Sequence, residues 1–247
     1  MPKQLPSALD LTGRRVLVTG AASGIGRATA QALAELGAEL ILCDRQSLAE
    51  TRALIDRAGA RCTEALGDLT DGAFMASLFA RGRVHALAHC AAILDGRPWR
   101  EDAAFRDRFH RVMDVNVRVP LELATLAIEH MAEQGGGNVV LVGSVAGRSG
   151  GTSPNTPPDY AASKGAVHTL IRLLSRNAVA RGVLVNGVAP GPVETAMTQG
   201  MDLGPQVPIK RMAQPGELAW PIAFLCSPAA SYLSGALLDV NGGSFVG

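Results

Sequence analysis

Proton-transfer chemistry is within reach of four side chains. Tyr160 and Lys164, in YAASK, are four residues apart and share one face if the segment is helical. A phenol titrates near pKa ~10, poorly matched to acid–base work at neutral pH. A nearby ammonium would stabilise the phenolate. Tyr160 can then take a proton from an alcohol or return it to a ketone. Ser144 follows the apolar run NVVLV, at the carboxyl end of a predicted strand, where open α/β sheets place ligands. Its hydroxyl can hold the substrate oxygen. Asn116 lies between valines in a predicted helix, where an amide has low propensity, and can fix a water that relays protons from Lys164. Taken singly, each has an ordinary reading: a surface pair, a turn serine, a polar group in a helix. Their order behind a glycine-rich turn is what gives them weight.

That turn is TGAASGIG, Thr19 to Gly26, which follows one predicted strand and opens a predicted helix. Gly20 can make the tight turn, Gly24 can let a pyrophosphate approach, and Gly26 can bring helix and strand together. Ser23 and Ile25 fall in the same turn, where exposed N–H groups and the helix dipole favour a phosphate. The spacing is not GxxxxGK[ST], so a nucleoside triphosphatase is disfavoured. Asp44 ends the next apolar run. A carboxylate there can accept hydrogen bonds from ribose hydroxyls and would repel a 2′-phosphate, which favours NAD over NADP. Arg45 beside it is the residue that argues the other way. Asp68 and Leu69 either flank the adenine or belong to an exposed turn before the next helix.

Composition narrows the alternatives. The chain has 247 residues, 47% hydrophobic and 18% charged, a globular profile read as one domain over 1–247. Lys plus Arg is 23 against 22 Asp plus Glu, giving a formal charge of +1 and no overall field for nucleic acid or an acidic membrane. Cys43, Cys62, Cys90 and Cys226 form no close CxxC pair, so no zinc site or disulfide framework is expected. No His cluster or carboxylate spacing calls for a metal. The first residues, MPKQLPSALDLTG, carry no signal-like apolar run, and no stretch approaches the ~18 apolar residues of a membrane span. A cytoplasmic setting is expected.

Short apolar runs alternate with Ala-rich helical segments along the whole chain. The runs are RVLVTG, AELILCDR, ARCTEALGDL, VHALAHCAA, NVVLVGSVAG, VLVNGVAPG and ALLDVNGG. This pattern predicts an α/β fold, a doubly wound parallel sheet flanked by helices on both faces. The stretch VMDVNVRVPLELATLAIEHMAEQ predicts a helix broken near Pro120. Residues 192–214 predict a substrate lid. Met197, Met201, Leu203, Val207, Ile209 and Met212 either face a mainly apolar alcohol or ketone or pack the lid onto the body. Arg148 and Arg211 are either receptors for an anionic group or solvated surface residues.

TGAASGIG, Asn116, Ser144 and Tyr160 with Lys164 together resemble the short-chain dehydrogenase/reductase family, over nearly the whole chain from about Leu11 to Gly243. The resemblance implies a Rossmann-like fold and a catalytic Asn–Ser–Tyr–Lys tetrad. By that resemblance Tyr160 is the general acid/base, Lys164 binds the nicotinamide ribose and lowers the tyrosine pKa, Ser144 orients the substrate, and Asn116 holds the relay water. In APGPVET, Pro190 and Gly191 would line the nicotinamide, while Thr195 and the Val193 backbone would bond its carboxamide. A homo-oligomer, commonly a tetramer, is also implied. Two departures stand out. The family often has NNAG after its fourth strand, and here the residues are His89, Cys90, Ala91 and Ala92. Ala91 keeps a small residue beside the cofactor, and His89 is expected to replace one strand-tying bond. Ser144 and Tyr160 are also further apart than usual, with the turn-rich GRSGGTSPNTPPD between them, which is expected to reshape one wall of the substrate pocket. The implied activity is NAD-dependent hydride transfer on a secondary alcohol or ketone. An NADPH-dependent 3-oxoacyl-thioester reductase and a non-catalytic dinucleotide-binding regulator are the alternatives.

Overall fold

Seven parallel strands form one sheet in the order β3-β2-β1-β4-β5-β6-β7 in the computed structural model, which describes residues 8–100 and 103–247. The strands are β1 (Arg15–Thr19), β2 (Glu39–Asp44), β3 (Cys62–Leu66), β4 (Ala86–His89), β5 (Gly137–Val142), β6 (Val183–Pro190) and β7 (Leu237–Val240). Between them run α1 (Gly24–Glu35), α2 (Ala49–Arg57), α3 (Gly72–Ser77), α4 (Phe105–Met113), α5 (Val119–Glu133), α6 (Ala146–Ser149), α7 (Pro158–Ala178) and α8 (Pro215–Cys226). The expected doubly wound sheet is therefore present. Residues 1–7, part of the N-terminal stretch considered above, and 101–102 lie outside the described residues.

Side-chain alternation divides the core in two. Val16 and Val18 of β1 point to one face with Leu40 and Leu42 of β2, where Ala30 and Leu33 of α1 and Ile222 of α8 cover them. Leu17 and Ile41 point to the other face, against Leu123 of α5 and Val167 and Ile171 of α7. A strand buried on both faces reads as a continuous apolar run because each successive side chain enters a core. Among the described residues, no helix is long and apolar enough to cross a membrane.

The helix expected to break near Pro120 breaks just before it. Asp114–Arg118 is a π turn between α4 and α5, and Pro120 sits in the first turn of α5, where its missing N–H costs nothing. Helix α3 gave no periodic signal in the sequence. It is only six residues long, and the Asp71 carboxylate caps it by accepting from the Ala73 and Phe74 amides.

Candidate active site

β3, β2 and β1 run one way across the sheet and β4 to β7 the other, so the crossover connections diverge between β1 and β4. A crevice opens at such a switch point, at the carboxyl ends of the strands. The glycine turn leaves β1 there. Gly20 and Gly24 take positive φ (67° and 52°), which favours glycine. A Cβ on Gly26 would lie 2.1 Å from the Gly20 carbonyl oxygen, so only glycine permits this helix–strand approach. No side chain caps the start of α1. The turn is braced from outside. The Thr51 hydroxyl donates to the Ala21 carbonyl (2.7 Å), the Ala22 amide donates to Asp44 Oδ2 (2.9 Å), and the Arg27 guanidinium donates to the Ala22 carbonyl.

A cavity of ≈ 390 Å³ runs over this turn and is lined by Gly20, Ser23, Gly24, Ile25, Gly26, Asp44, Arg45, Asp68, Leu69 and Ala91. The sequence expectation is thus met for position: these residues meet in one cleft. Asp44 is half-buried and Arg45 exposed. Asp68 is exposed, with its Oδ1 held by the Thr70 amide and hydroxyl (both 2.9 Å), bonds that lower its pKa. The cradle fits a dinucleotide: bare glycine backbone, an uncapped helix start and a carboxylate at the end of β2.

A second cavity, ≈ 370 Å³, joins the first and shares Ile25, Cys90, Ala92, Leu94, Thr195 and Met197 with it. Ser144, Tyr160, Lys164, Pro190, Gly191 and Val193 line it. Tyr160 and Lys164 stand one turn apart on α7, with the ammonium 5.7 Å from the phenol ring centroid. Lys164 Nζ donates to the Val142 carbonyl (2.9 Å), and burial lowers its pKa to about 8. Burial raises the Tyr160 pKa, and a hydrogen bond from Ser144 works against that rise. The phenol is therefore shifted away from the range acid–base work needs, not toward it.

Asn116 is placed by the π turn. Its Oδ1 accepts from the Ile93 amide (2.9 Å), and its Nδ2 donates to the Ile93 carbonyl (2.9 Å) and the Ser163 hydroxyl (3.1 Å). The amide ties the loop after β4 to α7, and its side-chain atoms bond protein partners. His89 bonds Thr19 through Nδ1 (2.8 Å), tying β4 to β1 as expected. Burial pushes its imidazole down to about 3 and the Cys90 thiol up to about 12, so both are neutral.

Of the two readings offered for Arg148 and Arg211, the surface one fits Arg211, which is exposed and pairs with Glu217 (2.6 Å), while the less exposed Arg148 pairs with Asp239 (2.9 Å). A buried ion pair gave no signal in the sequence. Arg108 of α4 donates to Asp159 Oδ2 (3.2 Å), both side chains being 1% exposed, and to the Arg97 carbonyl (3.1 Å). Asp159 also accepts from the Tyr160 amide (3.0 Å). The partners are 51 residues apart, beyond the reach of local spacing.

Strand order, glycine cradle and Ser–Tyr–Lys cluster together define a nucleotide-binding α/β oxidoreductase site. A family model described as "Enoyl-(Acyl carrier protein) reductase" matches residues 20–244, and the chain belongs to the short-chain dehydrogenase/reductase family. It is 38% identical to a galactitol 2-dehydrogenase (L-tagatose-forming) of Cereibacter sphaeroides, over 94% of this chain and 95% of that one. It is 37% identical to a cis-4-hydroxycyclohexanecarboxylate dehydrogenase of Sinomonas cyclohexanicum, over 93% and 96%. A solved structure from Beutenbergia cavernae with bound NADP superposes with a TM-score of 0.89, at 34% identity, over 96% of this chain and 98% of that one.

Proposed function

We propose that this oxidoreductase moves hydride between NAD and a secondary alcohol or ketone that is uncharged and mainly apolar. The observation that carries the reading is that the two cavities join, with residues such as Ile25, Cys90 and Thr195 in common, and that Ser144, Tyr160 and Lys164 line the second. A bound nicotinamide dinucleotide would supply the hydride acceptor or donor. The glycine turn would receive its pyrophosphate and Asp44 its adenosine ribose, with Asp68 and Leu69 beside the adenine. Pro190, Gly191, Val193 and Thr195 would line the nicotinamide. Ser144 would hold the substrate oxygen and Tyr160 would take or return its proton. Lys164 would bind the nicotinamide ribose, and its charge would draw the phenol pKa back down. Asn116 would steady the loop after β4 and hold the relay water.

The substrate wall supports an uncharged ligand. Leu94, Met197, Met201 and Leu203 face the cavity, and Lys164 is its single cationic side chain among the described residues. Thr152, Ser153 and Asn155, from the extra length before Tyr160, add a polar strip that suits a further hydroxyl group. Residues 192–214 would serve as the lid. The 3-oxoacyl-thioester reductase reading stays as the second choice, because exposed Arg45 lines the nucleotide cavity and is available to a 2′-phosphate.

Turnover with NAD(H) and NADP(H), measured separately on secondary alcohols, polyols, ketones and 3-oxoacyl thioesters, tests both readings. NAD(H)-selective alcohol oxidation that rises with pH, as the phenolate becomes accessible, is the expected result. NADP(H) selectivity would transfer the decisive role from Asp44 to Arg45. Binding of dinucleotide without turnover of any substrate would favour the regulatory alternative. The proposal includes a homo-oligomer, by resemblance a tetramer, for which exposed Phe109, Leu121, Leu173 and Trp220 offer apolar contact surface. Light scattering of the purified chain is expected to give the mass of four copies, and a monomer would end that part of the proposal.

A further inference from the structure

The ladder between β5 and β6 ends at the Val142–Val188 pair. Beyond it, the Gly143 amide donates to the Val188 carbonyl (2.8 Å) and the Val145 amide to the Pro190 carbonyl (2.7 Å). The Ser144 amide lies between them and, by the alternation of a strand, points away from β6. A buried N–H needs a partner. Here it donates to Nε2 of His168 (3.3 Å), an imidazole only 3% exposed. The chain is shaped around this ring. A Cβ on Gly143 would lie 2.4 Å from Nε2, and a Cβ on Gly147 would lie 2.7 Å from Cε1. Tyr160, Lys164 and His168 recur every fourth residue on α7, so the helix that presents the phenol and the ammonium also supplies this acceptor.

An accepting Nε2 requires a neutral ring with its proton on Nδ1. Burial, with the positive charges of Arg148, Arg172 and Lys164, lowers the imidazole pKa to about 4, and Asp239 opposes them. The ring is neutral wherever the enzyme would work. The Ser144 hydroxyl meanwhile accepts from the Ala146 amide (3.1 Å), so amide and hydroxyl are both fixed by the conformation at residue 144.

We propose that His168 is a positioning residue that holds the Ser144 peptide so that the Ser144 hydroxyl faces Tyr160 and the substrate oxygen. This rests on the reading of Ser144 as the substrate-orienting hydroxyl. Losing the acceptor lets the residue-144 turn relax, which weakens the Ser144–Tyr160 bond and leaves the glycine cradle untouched. The effect falls on kcat and on the Tyr160 titration, not on dinucleotide affinity.

The experiment compares His168→Leu, which removes the acceptor, with His168→Gln, whose amide oxygen can accept, and uses Ser144→Ala as reference. If His168→Leu does not fold, His168→Met replaces it. Tyr160 can be read without any substrate. The chain has two tyrosines, and the other, Tyr232, is fully exposed, so in a Tyr232→Phe background the ultraviolet phenolate band reports Tyr160 alone. The expected result has three parts: the apolar variant titrates Tyr160 at higher pH, lowers kcat by ~10- to 100-fold, and binds NADH as before by fluorescence. His168→Gln restores most of both properties. An apolar variant with unchanged titration and kcat, beside an impaired Ser144→Ala, would overturn the role of His168 alone. Equal losses in the Leu and Gln variants would also overturn it, since packing would then be the cause. An unaffected Ser144→Ala would remove the reading of Ser144 and the inference with it.

Discussion

The glycine-turn half of the cleft and the loop-walled half are held by different means. In the first, backbone lies against backbone: a Cβ on Gly20 would meet the Ala91 amide nitrogen at 2.8 Å, and Gly26 admits no side chain at all. Its braces, Thr51, Asp44 and Arg27, all reach backbone atoms of the turn. In the second half, side chains do the holding. Arg108 joins α4 to the start of α7 and to the loop at Arg97, while Met197 and Met201 close the cavity with flexible thioethers that are 39% and 37% exposed. A half built on backbone approach accepts one ligand shape. A half built on side chains can change its ligand by substitution without disturbing the sheet.

If the contrast holds, damage should differ in kind as well as in size. Arg108→Leu is expected to have the largest effect, because it leaves Asp159 buried without this partner. Breaking a buried pair costs ~3–5 kcal/mol, which urea denaturation would read as a lower midpoint. A loss below about 1 kcal/mol would show that the loop-walled half does not depend on the pair. Gly26→Ala comes next. Overpacking of ~1–3 kcal/mol against the Gly20 carbonyl should weaken dinucleotide binding by ~10- to 100-fold, measured by NADH fluorescence. Unchanged affinity would mean that the turn tolerates rearrangement and the contrast fails on its firmer side. Met201→Ala is expected to be the mildest, raising KM for an apolar substrate by ~5-fold with kcat and dinucleotide affinity unchanged. A comparable change in dinucleotide affinity would show that the two halves are coupled through Thr195 and Met197, which line both cavities.

The same division explains what could be read from the chain alone. TGAASGIG and YAASK are local: their chemistry follows from spacing within one turn or one helix, and both sit where the alternating pattern put them. Asp44 was legible because a strand end is a position that a periodic pattern can count. The bond between Ser144 and His168 spans 24 residues, and that between Asn116 and Ser163 spans 47. Such pairings are decided when helices pack, and no window on the sequence contains both partners. Asn116 stood out as an amide among valines, but the sequence did not show that its side chain fastens the Ile93 backbone. Arg148 meets its carboxylate partner, Asp239, across 91 residues, whereas Arg211 and Glu217 are six apart, a pairing within reach of a local reading.

The π turn of Asp114–Arg118 holds one residue more than an α-helical turn would. Its five residues sweep about the angle that four sweep in an α-helix, so α5 keeps its phase beyond it, with Val119, Leu123, Ala127 and Met131 buried. A one-residue deletion at the turn can be absorbed by a return to α spacing, and the helix beyond keeps its face toward the core. The same deletion inside α5 has no such slack and would rotate every later side chain by about 100°. One stretch of the chain can therefore lose a residue and stay in step, while its neighbour cannot.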